Sequence, residues 1–162
     1  MRRTLALLLL GTLVLPDFGR SVCAQDADAK LRTDVLDTIR RAQEFLISRQ
    51  MAGGAWDSNA YAEYPLGPTA LAVQALLNSG LPPEHRAVSR GLQVLRDQPA
   101  PSSTYELATC IMALAAAGQP ADVGRIGTMA AQLERLQLKE GAGNRGRGAW
   151  GYGSRLRGDD WG

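Results

Sequence analysis

The stretch FLISRQMAGGAW, from Phe45 to Trp56, decides the fold because it ends a helical run in an unusual way. An apolar pair and a glutamine are followed by two glycines and a tryptophan, a pattern that can be written F-L-x3-Q-x3-G-x-W. The pattern partly returns near the other end of the chain, where Leu133 and Gln137 precede Gly148-Ala149-Trp150. A pattern that occurs twice in one chain predicts a structural repeat.

Helical periodicity extends on both sides of this stretch. Before it, apolar residues recur every three or four positions: Leu31, Val35, Ile39, Ala42 and Leu46. This spacing places them on one face of a helix from about Lys30 to Gln50. Periodicity and end signals predict four further helices, which begin near Pro68, Val88, Ser103 and Val123. No window alternates as a strand does, so the sequence predicts an all-α fold.

The predicted helices are related by a repeat. The segment from Ala75 to Pro82 matches the segment from Ala113 to Pro120 at a shift of 38 residues, and each contains Gly-x-Pro between two helices. Glycine can end a helix in the left-handed conformation, and proline suits the start of the next one. The repeat unit is therefore an α-helical hairpin, which buries its apolar face by stacking on its neighbours.

Three glutamines stand where one hairpin is predicted to meet the next. Gln50, Gln98 and Gln137 each end a helix, and each follows an apolar residue four positions earlier. A glutamine side chain there can bond the unpaired backbone groups at the ends of adjacent helices. A nearby tryptophan can cover such a contact with its ring.

This pattern resembles the QW motif of squalene and oxidosqualene cyclases and the related prenyltransferase repeats. The first copy is nearly complete, the second keeps Gln98 without Gly-x-Trp, and the third spreads the motif over a longer loop. The resemblance implies α-hairpin repeats that form part of an α/α toroid over residues 25–162, with a Gly-rich loop at 140–162. It assigns a structural role to Phe45, Leu46, Gln50, Gly54, Trp56, Gln98, Gln137, Gly148 and Trp150.

The residues that match the QW motif do not include the catalytic or zinc-binding residues of that superfamily. Its cyclases use an Asp-x-Asp-Asp acid, whereas this chain offers Arg157-Gly158-Asp159-Asp160-Trp161, which lacks the first aspartate, and its aromatic content is 6%. Its protein prenyltransferases bind zinc through Asp, Cys and His, whereas this chain has one histidine, His85, and two cysteines. We therefore expect no catalytic residue, metal site or cofactor in this sequence.

The amino terminus has the pattern of an export signal. Residues 1–24 combine a basic start, an apolar run and the small residues Val22-Cys23-Ala24 before a polar exit, and an uncleaved anchor is the alternative. Cleavage would leave 18 − 3 = 15 basic and 16 − 1 = 15 acidic side chains. We expect a neutral, exported protein, periplasmic or secreted, with no nucleic-acid partner and no stable membrane span.

Two function classes follow from these expectations. The first is a non-catalytic binding or scaffold module, whose partner is an unknown ligand or protein and which can self-associate through an exposed hairpin face. The second is the amino-terminal fragment of a secreted toroid enzyme that acts on an isoprenoid, as cyclases do, or on a glycan, as lyases do. A closed toroid needs more hairpins than the entry helix and two hairpins predicted here. The sequence is therefore expected to be a fragment, and the alternative is a protein that completes its ring with other chains.

Overall fold

The computed structural model describes residues 18–56, 64–138 and 148–151, and every regular element in them is a helix. The elements in chain order are α1 (Phe18–Arg49), α2 (Gly67–Asn78), α3 (Arg86–Asp97), α4 (Thr104–Ala117), a 3-10 turn (Pro120–Asp122) and α5 (Val123–Arg135). The predicted all-α fold class is confirmed for this part of the chain. None of these helices has both the length and the hydropathy of a membrane span.

Helix α1 is longer than the sequence predicts, because it begins at Phe18 and not near Lys30. The chain divides into two compact units, Met1–Thr38 and Ile39–Gly162, and the division falls inside this helix. In the first unit the apolar side chains of Leu31 and Val35 are 63% and 48% exposed. Helical spacing aligns apolar residues on one face, but burial requires a partner for that face. Residues 1–17 of the predicted signal peptide lie outside the described residues.

In the second unit, α2 and α3 form one helical hairpin and α4 and α5 form another. Each first helix is followed by a glycine in the left-handed region, Gly80 with φ +100° and Gly118 with φ +63°. The amide of Leu81 donates to the carbonyl of Leu76 at 3.1 Å, which satisfies a carbonyl that the helix end leaves unpaired. Both predicted Gly-x-Pro segments therefore lie between two helices.

The start of α4 carries an altered form of the capping box, in which a serine and a glutamate three residues later bond each other's backbone amides. Ser103 Oγ accepts the amide of Glu106 at 3.2 Å. The carboxylate of Glu106 accepts the Ser103 hydroxyl at 3.3 Å and the amide of Leu66 at 2.7 Å. The buried glutamate thus connects α4 to the residue that precedes α2.

The core lies where the two hairpins meet, since α2 packs against both α3 and α4, and α5 packs against α4. Its largest fully buried apolar side chains are Val73, Leu76, Val88, Leu92, Leu95, Leu107, Leu114 and Met129. An ion pair also connects the hairpins, because the Arg96 guanidinium contacts both carboxylate oxygens of Asp122 at 2.8 and 2.7 Å. The hydrogen bond with Asp122 raises the pKa of Arg96, against the opposing effect of burial.

Candidate functional site

The glutamine and tryptophan of the first motif copy tie the end of α1 to the turn that follows it. Gln50 Nε2 donates to the carbonyl of Gly54 at 2.8 Å, and Trp56 Nε1 donates to the carbonyl of Leu46 at 2.8 Å. A carbonyl in the last turn of a helix lacks an intrahelical partner or shares a weak one, so the indole satisfies it. We call Leu46, Gln50, Gly54 and Trp56, with the turn that joins them, the first joint.

Backbone hydrogen bonds fix the turn of the first joint. The amide of Met51 donates to the carbonyl of Ala55 at 2.9 Å, and the amide of Gly54 donates back to Met51 at 2.9 Å. Gly54 has φ +92°, and a Cβ atom there would lie 2.9 Å from the carbonyl oxygen of Arg90 in α3. Glycine is required at this position by both its backbone conformation and the close approach of α3.

The hairpin α2–α3 covers the first joint. Gln50 Nε2 also donates to the carbonyl of Ala87 at 2.8 Å, and the amide of Trp56 donates to Thr69 Oγ1 at 3.1 Å. A Cβ atom on Gly91 would lie 2.9 Å from the indole, so α3 approaches the ring closely. As a result the Trp56 side chain is only 6% exposed.

The last motif copy forms the same side-chain bonds. Gln137 Nε2 donates to the carbonyl of Gly148 at 2.9 Å, and Trp150 Nε1 donates to the carbonyl of Leu133 at 2.8 Å. In both copies the indole therefore bonds the carbonyl four residues before the glutamine. We call Leu133, Gln137, Gly148 and Trp150, with the backbone of Leu138 and Ala149, the third joint.

The backbone of the third joint also repeats that of the first, although its loop is longer. The amide of Leu138 donates to the carbonyl of Ala149 at 2.9 Å, and the amide of Gly148 donates back to Leu138 at 2.9 Å. Gly148 has φ +80°, close to the value of its counterpart Gly54. Three residues separate the glutamine from the glycine in the first joint and ten in the third, so the bonds do not depend on loop length.

The two joints differ in what covers them. Trp150 is 42% exposed, seven times the exposed fraction of Trp56. Within the described residues, Gln137 Nε2 has one acceptor where Gln50 Nε2 has two. Among the described residues, a Cβ atom on Gly148 would meet only the Gln137 amide, at 3.9 Å. The third joint thus has the local bonds of the first joint, and no described hairpin covers it.

The second motif copy does not form a joint of this kind. The Gln98 side chain is exposed, and this residue bonds α5 through its backbone, whose carbonyl accepts Arg125 Nη2 at 2.7 Å. At the repeat shift of 38 residues, the glycine at position 91 corresponds to Met129, which is fully buried. A methionine side chain takes up volume in α5 at the position where α3 leaves room for an indole.

An apolar groove of about 640 Å³ lies beside the first joint. It is lined by Phe45, Leu46, Arg49, Met51, Trp56, Pro68, Leu71, Ala72 and Ala75. Phe45 is 57% exposed. The guanidinium carbon of Arg49 lies over its ring, 5.1 Å from the ring centre. Phe45 therefore lines an open surface and is not part of the buried contact with α2–α3.

The remaining reactive side chains have structural positions. His85 caps α3 by accepting the amide of Ala87 on Nδ1 at 3.3 Å. Burial, together with the charge of Glu106, raises the pKa of the Cys110 thiol to about 12. The described residues contain no cluster of three or more His, Cys, Asp or Glu side chains that could hold a metal ion. The Asp159-Asp160 pair lies outside the described residues.

Sequence reasoning identified the residues that form the joints but missed those that cover the first one. Gly91 carried a weak signal, since a glycine inside a helix often marks a close approach. Thr69 and Ala87 carried none, because one contributes a common hydroxyl and the other only a backbone carbonyl.

Comparison with models of protein families, with curated proteins and with solved structures finds no match to this chain.

Proposed function

We propose that this protein is an exported repeat protein of the squalene cyclase and prenyltransferase type that acts as a non-catalytic binding or scaffold module. One observation carries the proposal: the same set of joint bonds occurs twice, once beneath a hairpin and once exposed. The resemblance to the QW motif supports a partial α/α toroid, because that motif connects successive hairpins. An exposed joint on such an array supports a partner-binding role.

The second hairpin offers further apolar surface to a partner. Met112 on α4 is 51% exposed and Val123 at the start of α5 is 67% exposed. The third joint, at the end of α5, adds the exposed face of Trp150. These exposed side chains belong to the hairpin that ends in the third joint, and they support a role for that hairpin in binding a partner.

A second candidate function is the amino-terminal part of a secreted toroid enzyme. The apolar groove beside the first joint favours an isoprenoid over a glycan as its ligand. Apolar side chains such as Phe45 and Leu71 suit a hydrocarbon chain, whereas a glycan needs convergent polar groups. Conversion of an isoprenoid alcohol or diphosphate by the purified protein, followed by mass spectrometry of the products, would favour this candidate over the scaffold.

Site-specific photo-crosslinking in the cells that make the protein tests the scaffold proposal. A photoreactive amino acid at Met112 or Val123 should give one discrete adduct with a second polypeptide. The same residue at Gln93, which is exposed on α3, serves as the matched control and should give none. Equal yields at all three positions, or no adduct at Met112 and Val123, would contradict a partner-binding role for the second hairpin.

A further inference from the structure

The third joint contains the groups that α2 and α3 contact at the first joint, but the structure describes no hairpin that contacts them there. At the first joint, α2 supplies a hydroxyl acceptor from Thr69, and α3 supplies the carbonyl of Ala87 and the open space at Gly91. The side-chain amide of Gln137 and the ring of Trp150 form the same local bonds as Gln50 and the ring of Trp56, and the backbone amide of Trp150 corresponds to the amide of Trp56 that donates to Thr69. The chemistry that would complete the third joint can therefore be read from the first.

We propose that the third joint is a docking site for an α-helical hairpin of the α2–α3 kind, contributed by a partner polypeptide. This inference rests on the proposed function and specifies its partner. The hairpin must carry a hydroxyl acceptor in its first helix, where Thr69 lies in α2. Its second helix must offer a first-turn carbonyl that can accept a second hydrogen bond, and a glycine one turn later, where Ala87 and Gly91 lie in α3.

A second copy of this chain does not meet these requirements. Its α2–α3 hairpin is already occupied by its own first joint, where Gln50 bonds Ala87 and the ring of Trp56 lies against Gly91. Its α4–α5 hairpin has Met129 at the position of the required glycine, at the repeat shift of 38 residues. The site therefore selects a partner hairpin with a glycine there over hairpins like α4–α5.

Among the described residues, none occupies the position beside Gly148 that α3 occupies beside Gly54. At the first joint α3 approaches so closely that a Cβ atom on Gly54 would lie 2.9 Å from a backbone oxygen of Arg90. At the third joint, the Gln137 amide is the one described group within 4 Å of a Cβ atom on Gly148. Gly148 therefore keeps a positive φ although no described neighbour approaches it, and no described residue blocks a backbone like that of α3.

The test supplies the hairpin as an extension of the full chain. A copy of residues 67–98 is joined after Gly162, so the 12 residues from 151 to 162 link it to Trp150, against the 10 from 57 to 66 at the first joint. Tethering gives a high effective concentration, so a weak site can still be filled. A Trp161→Phe background leaves Trp56 and Trp150 as the two indoles. We expect Trp150 to become protected, with its acrylamide quenching constant falling about three-fold or more and its emission shifting to shorter wavelength.

Two variants of the copied hairpin distinguish docking from simple crowding. Copied Gly91→Leu places a side chain where the Trp150 ring would lie, and it should restore quenching to the level of the unextended protein. Copied Ser89→Leu adds the same side chain at a position that is exposed in α3, and it should leave Trp150 protected. Equal protection with both variants would overturn the proposal.

Other results also decide the matter. An unprotected Trp150 in the extended protein would overturn the proposal, whether the copied hairpin is folded or unfolded by circular dichroism, because a matching site should fold and hold it. Protection of Trp150 in the unextended chain that rises with protein concentration, together with a doubled mass, would show that a second copy is the occupant. Crosslinking at Met112 could still succeed in either case, so this failure is distinguishable from failure of the proposed function.

Discussion

The first and third joints are built from the same local bonds, yet one is buried and the other is open. In each, a glutamine amide bonds the glycine carbonyl and an indole bonds a carbonyl in the last turn of the helix. Of the two, the first alone is covered by a hairpin that the structure describes, and its tryptophan is 6% exposed against 42% in the third. The comparison teaches that the motif is sufficient for the turn, whereas burial depends on a neighbouring hairpin.

The largest expected effect is the loss of the buried indole. Trp56→Ala should lower the free energy of unfolding by about 3 to 5 kcal/mol, the range for a large aromatic side chain in a core. Trp150→Ala should cost about 1 kcal/mol or less, because its ring is partly hydrated already. Urea unfolding followed by circular dichroism measures both. Similar costs at the two positions would break the distinction between a covered and an open joint.

The close approach of α3 to the first joint predicts a strong response at Gly91. Gly91→Ala should cost about 1 to 3 kcal/mol, because the new methyl group would collide with Val73 and the Trp56 ring. Gly127→Ala in α5 is the matched control, since a Cβ atom there meets nothing within 4 Å. That control should be neutral or stabilise the protein by about 0.5 to 1 kcal/mol through helix propensity. A tolerated Gly91→Ala would show that α3 lies farther from the joint.

Replacement of the glutamine should also cost more stability at the first joint than at the third, but the difference should be smaller than for the tryptophans. Gln50→Ala should cost about 1 to 3 kcal/mol, because it leaves the carbonyls of Gly54 and Ala87 without their side-chain donor. Gln137→Ala should cost about 0.5 to 1 kcal/mol, since it removes one bond at a site open to water. Chemical denaturation gives both values, and a reversed order would contradict the structural comparison.

Coupling between the two residues of the first joint sharpens this result. Gln50 and Trp56 hold the same turn, so the double mutant should cost less than the sum of the single mutants. Strict additivity would mean that the glutamine and the indole stabilise the turn independently. The motif would then be two separate contacts and not one joint.

A separate prediction concerns Cys110, whose reactivity reports whether the hairpin that ends in the third joint is itself well packed. At pH 8 the buried thiol should react with iodoacetamide far more slowly in native protein than in urea, because its pKa is raised to about 12. The unfolded thiol ionises near its ordinary value of 9.0. The protonated Cys110 thiol therefore contributes fully to the free energy of unfolding below pH 9. This contribution is lost as the pH rises toward 12, and a Cys110→Ala variant, which has no thiol, is the control. Rapid alkylation of the native protein would mean that α4, like the third joint, is accessible to solvent.

The sequence by itself determined the described helices, except for the start of α1, and the first and third joints, because these depend on residues close together in the chain. Apolar spacing, the Gly-x-Pro segments and the pattern from Gln50 to Trp56 were sufficient for this. The first helix shows the limit of such reasoning, since Leu31 and Val35 align on one face and yet are exposed.

Only the tertiary structure decided which joint is buried and by what. The covering contacts of the first joint come from Thr69, Ala87 and Gly91, which lie 13 or more residues beyond the turn in the chain. Two of them act through a common hydroxyl and a backbone carbonyl, which leave no pattern in the sequence. The packing of α2 and α3 brings these groups to the ring of Trp56, and no described hairpin brings their equivalents to Trp150, so two motifs with the same bonds differ in burial.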